Sequence, residues 1–186
     1  IETHDLAGLS TVQMRSIQTN DLSSLNSTQV LALASNQLAA LTTVQISALH
    51  TGQITALTSV QVGSLTSAQI AALTTNQVAA IETNDLAGLS TAQMRGFQTQ
   101  DIASLNTAQV GALTSTQIGA LLTTQIAALT TNQVAAIETH DLAGLSTVQM
   151  RSIQTDDLSS LTSPQALALA STQLAPLPTV QRSALH

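Results

Sequence analysis

The chain has 186 residues, of which 44% are apolar and 8% charged, with four Arg, no Lys, no Cys and a net charge of −6. An acidic chain without Lys, whose only aromatic residue is Phe97, offers neither the basic surface nor the stacking platforms that nucleic acid requires, and it suits anionic lipid poorly. No disulfide or thiolate site is possible, and no apolar run approaches the ~20 residues that span a bilayer. The expectation is therefore no nucleic-acid partner and no membrane insertion.

From Ile1 onward the sequence divides into 23 octads without an insertion or deletion, and Leu185 and His186 begin another. Position 1 of the octad is Leu or Ile, with Phe97 once. Position 3 is always Thr or Ser, and position 5 always Gln or Asp. Position 6 is aliphatic or Met until Ala166 and Arg182, and position 8 is Ala, Gly or Ser except at Pro176. Positions 2, 4 and 7 vary. Such strict periodicity predicts one continuous solenoid over 1–186.

A single unbroken helix does not fit. At ~100° per residue, eight residues rotate the apolar pair by about 80° per repeat, and the stripe spirals around the axis. The octad must contain a break. The fixed Thr or Ser at position 3 is read as the cap of a new helix, with Gln or Asp at position 5 in its first turn. Pro164, directly after Ser163, then falls at the first helical position. Where position 2 is also Ser or Thr, as in Thr130-Thr-Asn-Gln133, the spacing matches a capping box. The fold class expected is all-α, a solenoid of very short capped helices, one per octad. A parallel β-solenoid is the alternative, since Thr, Ile and Val favour strands and Gln can stack in ladders. Apolar positions five apart break a period of two, however, and eight Gly are few for tight β corners.

Along the chain, residues 1–50 align with 137–186 with eight differences, and 73–96 match 129–152 at 21 of 24 positions. Near-identical blocks imply that copy number changes readily. A block three octads long carries the charges: Asp5, Arg15 and Asp21, again Asp85, Arg95 and Asp101, and again Asp141, Arg151 and Asp157. With two octads per coil, Asp5 and Asp21 would stack on one edge with Arg15 in reach; three octads per coil is equally open. All three prolines and both exceptions at position 6 lie in 161–186, a divergent end read either as a cap with a polar outer face or as drift.

Candidates for chemistry are few. His4 and His140 stand beside Asp5 and Asp141, with Glu2 and Glu138 near, a set that would make a small N/O metal site; a solvated polar edge is the simpler account. His50 and His186 lie among Ser and Thr. Met14, Met94 and Met150 are core filling. No Ser/His/Asp set stands apart from the repeat, and a nucleophile needs a unique asymmetric setting. No catalytic residue, cofactor-binding residue, metal ligand or cofactor is expected.

The octad Leu-Thr-Thr-x-Gln-Ile/Val-x-Ala, as in 129–136 and in the variant 121–128, resembles octapeptide arrays of very large secreted or cell-surface adhesin-like proteins of Gram-negative bacteria. That resemblance implies a non-enzymatic extracellular part: a stalk, spacer or matrix fibre, self-associating end to end or laterally into filaments. The alternative is a repetitive face that binds a polymer such as glycan or ice. Lacking an initiator Met and a signal peptide, the sequence reads as an excerpt of something longer.

Overall fold

The computed structural model describes residues 2–185. Every described octad carries one helix of four to six residues, α-helical in 22 octads and a 3-10 turn at Leu142–Gly144 in the other; none of the described residues forms a strand. The fold is an all-α solenoid of short capped helices. The chain forms two compact units, Ile1–Phe97 and Gln98–His186.

Helix starts follow from local chemistry, one residue earlier than position 3 suggests. Position 2 is the N-cap, extended in backbone, and position 3 is already the first helical residue: Thr66 caps Ser67–Ala71, and Thr130 caps Thr131–Ala136. The capping box therefore runs from position 2 to position 5. Pro164 accordingly stands second in Ser163–Ala168, where the backbone N–H it lacks would still have no partner within the helix. Each helix ends when the N–H of the next position 1 bonds the carbonyl of position 6, as Leu41 does to Leu38 at 3.1 Å. Positions 1 and 2 then run extended: Leu41 at φ −59°, ψ 143° and Thr42 at φ −70°, ψ 159°. No described residue has a positive φ, so the corners require no glycine.

Three octads make one coil. In the first unit Thr11–Ser16 packs on Ser35–Ala40, which packs on Ser59–Gly63, which packs on Thr83–Ala87. The second unit repeats the pattern, with Thr107–Gly111 on Thr131–Ala136, then Thr155–Leu158, then Thr179–Ser183. Positions 6 and 1 point inward, and Leu38, Ile70, Met94, Ile102 and Ile126 are all but inaccessible to solvent. A helix of one turn is unstable alone, because nucleation fixes several residues for a single hydrogen bond. Burial between coils supplies the stability that propensity does not. Small residues at position 8 permit the approach: a Cβ on Gly144 would lie 2.6 Å from the Ser115 carbonyl oxygen in the coil beneath.

The strongest tie between coils is the side-chain amide at position 5. Oε1 of Gln69 accepts the Thr66 N–H at 2.8 Å, which completes the cap of its own helix. Nε2 of the same amide donates to the Leu38 and Leu41 carbonyls, each at 2.8 Å, on the preceding coil. Gln53 does the same to Leu22 and Leu25, Gln133 to Ile102 and Leu105, and Gln173 to Leu142 and Leu145. The glutamine half of the cap persists where position 2 has no acceptor of its own: the N–H groups of Ala34, Leu122 and Ala170 still donate to Gln37, Gln125 and Gln173. One octad breaks the rule. Pro178 holds position 2 and has no N–H, and Oε1 of Gln181 is buried without a partner.

Gln69→Leu should lower unfolding stability in urea by about 3 kcal/mol, because it strands one buried N–H and two buried carbonyls. Thr66→Ala, which removes the side-chain half of the cap alone, should cost about 1 kcal/mol. Pro178→Thr should stabilise by about 1 kcal/mol, since restoring the donor to Gln181 outweighs the added freedom of the unfolded chain.

Candidate functional site

The charged block is where the octads differ most from one another, so it is the natural place to look for chemistry. With three octads per coil, Asp5 and Asp21 occupy different sides of one coil and form no column. Arg15 does not relieve them: its Nε donates to the Ala40 carbonyl at 2.9 Å, a helix-end carbonyl one coil on. The block spans one turn of the solenoid, and its charges are dispersed around it.

Aspartate at position 5 is too short for the glutamine's reach and carries no donor. It is nevertheless buried at Asp85, Asp101, Asp141 and Asp157. The polarity of the tie then reverses, because a hydroxyl at position 3 of the preceding coil donates to the carboxylate. Ser59 reaches Asp85 at 2.6 Å, Ser115 reaches Asp141 at 2.5 Å and Thr131 reaches Asp157 at 2.7 Å. This is the observed role of the fixed hydroxyl in those octads, in place of the helix cap expected of it. Beneath a glutamine, Ser67 uses its hydroxyl differently, donating to the Ala92 carbonyl at 3.0 Å.

His140 Nε2 lies 3.0 Å from Asp141 Oδ1, so that Ser115, Asp141 and His140 are in line. The order is wrong for a nucleophile. The carboxylate stands between serine and imidazole, and the serine hydroxyl is spent on the carboxylate, whereas acyl transfer needs imidazole against the hydroxyl. The same serine–aspartate contact recurs at Ser59 and Asp85, where Asn84 replaces the histidine. His4 contacts Glu2 and Asp5 at 3.4 and 3.1 Å on an open surface, its side chain 78% exposed. Among the described residues no three His, Cys, Asp or Glu side chains are grouped to hold a metal ion. His50 is itself a helix cap, its Nδ1 accepting the Gln53 N–H at 3.2 Å; His186 lies outside the described residues. Met14, Met94 and Met150 are buried in the core.

The faces of each unit are mixed in character. Position 4 is exposed, and on successive coils of one side it reads Val12, Asn36, Val60, Asn84. Another side reads His4, Thr28, Gly52, Asn76. No helix among the described residues is long and apolar enough to cross a membrane. The largest described cleft, about 470 Å³, opens beside Ile17, Asp21 and Leu25 on the first coil.

Asp101 is the one described carboxyl with a displaced pKa. Burial raises it above the ordinary aspartate value, partly offset by the Gln98 N–H donating to Oδ2 at 3.0 Å. A raised acid favours the fold while it is protonated, and that contribution is lost as pH rises through its folded pKa. Asp101→Asn should therefore melt higher than the parent at pH 7, with the gap closing as pH falls below about 4, where aspartate is protonated even when unfolded. Melting curves of the two chains across that range measure the difference directly.

Sequence comparison supports this picture of an array without a unique site. No curated protein matches the chain. The ALTTAQ repeat matches it six times in overlapping stretches, at residues 1–35, 14–51, 51–80, 78–115, 94–131 and 134–171. With most of its length so matched, the chain belongs to the ALTTAQ repeat family.

Proposed function

We propose that the chain is a non-enzymatic structural element, a modular spacer or filament-building segment whose reach is set by its number of octads. The observation that carries this reading is the glutamine tie between each octad and the coil before it, made by the same atoms along both units. An added coil forms the same bonds as its neighbours and disturbs none of them. Mixed side chains at position 4 also suit a spacer better than a polymer-binding face, which needs one residue type repeated along a plane. The extracellular or cell-surface location implied by the octad resemblance belongs to the same proposal.

Duplicating residues 49–72 inside the first unit adds three octads, hence one coil. The product should unfold no more easily than the parent, and its largest dimension by small-angle scattering should grow by about 8–10 Å, the spacing of packed helices. A product that loses helical circular dichroism, or adds no length, would refute the modular reading. Protease shaving of intact producing cells, followed by immunodetection of the repeat, tests the surface location.

A further inference from the structure

Each coil donates toward the one before it and accepts from the one after it, so the two terminal coils are unlike. On the first coil Asp5, Gln13 and Asp21 are exposed, although position 5 is buried from Gln37 onward. Gln13 is already set in clamp geometry, with Oε1 accepting the Ser10 N–H at 2.8 Å. Its Nε2 has no carbonyl partner among the described residues. The cleft between Ile17, Asp21 and Leu25 opens on this same face, where an inner coil would meet the backbone of its predecessor.

The last coil is the counterpart. No glutamine reaches the carbonyls of Leu161, Leu169 and Leu177, the position-1 groups that accept such an amide in the inner coils. The position-3 hydroxyls of Ser163, Ser171 and Thr179 are exposed, and these are the groups that satisfy aspartate elsewhere. Charge is complementary as well: Arg182, exposed, is the only charged residue in 161–185, while the first coil presents Glu2, Asp5 and Asp21.

We propose that the first coil of one chain docks on the last coil of a second copy, through the bonds that join coils within a chain. Gln13 donates to position-6 and position-1 carbonyls of the other copy, Asp5 and Asp21 accept its position-3 hydroxyls, and Arg182 lies against the acidic face. The contact is head to tail, so it propagates as an open chain of subunits and does not close as a symmetric dimer. This rests on the structural-array reading above, because a second copy can dock this way only if a coil accepts a further coil.

Sedimentation velocity of the 186-residue chain over a concentration series tests it. The parent should show a stepwise rise in mass with concentration. Asp21→Arg and Arg182→Glu each place like charges across the contact, and each alone should weaken association about tenfold. Mixing the two variants restores opposite charges at every junction and should recover the parental behaviour. Both substitutions are at exposed positions, and unchanged circular dichroism verifies the fold. A parent that stays monomeric throughout the series overturns the proposal, as does association that neither variant weakens or that mixing fails to restore. Either result leaves the modular reading intact if the 24-residue duplication still adds a coil.

Discussion

A single primary amide, repeated at every eighth residue, holds this structure together. Its oxygen finishes the cap of one helical turn and its nitrogen bonds two carbonyls of the coil before, so local and long-range order depend on the same group. A turn of four to six residues cannot persist unaided, and a buried carbonyl left without a donor is costly. Glutamine answers both demands with a side chain just long enough to span the gap. Asparagine, one methylene shorter, occurs nowhere at this position in the chain.

Aspartate shows what the amide contributes by doing without half of it. Where it replaces glutamine, the nitrogen donor is gone, and the chain answers from the other side with a hydroxyl, as between Ser115 and Asp141. The fixed Thr or Ser at position 3 means that a carboxylate placed above any octad finds a donor beneath. Asp101 nevertheless bears a burial cost that an amide would not. Gln181 shows the reverse loss: with Pro178 at position 2 the nitrogen still bonds the Ile153 carbonyl at 2.7 Å, while the oxygen is left alone.

Much of this was legible in the octad. A period of eight excludes an uninterrupted helix, and Pro164 beside Ser163 marks a helix start; both inferences need only local rules. The placement of the cap was misread by one residue. Position 3 is invariant in type and position 2 is not, and invariance pointed to the wrong hydroxyl. In Thr130-Thr-Asn-Gln133 the box spacing already identified Thr130, whose side chain accepts the Gln133 N–H at 3.4 Å. The second role of the glutamine was not visible, because it acts across 28 to 31 residues and periodicity alone does not reveal which coil lies beneath. The number of octads per coil was hidden for a related reason. It is set by the angle at two extended residues per corner, and their composition leaves that angle open.

Three octads per coil has an effect on how such an array diversifies. Within the first unit the block that begins at octad 1 begins again at octad 11, ten repeats later, and ten is not a multiple of three. The second copy therefore starts one side further round the coil. Duplication in whole octads keeps every bond of the interior and still rotates whatever the surface displays. Only insertions of 24 residues would preserve a display in line, so recombination in units of eight scatters exterior features around the axis while leaving the interior blind to the change.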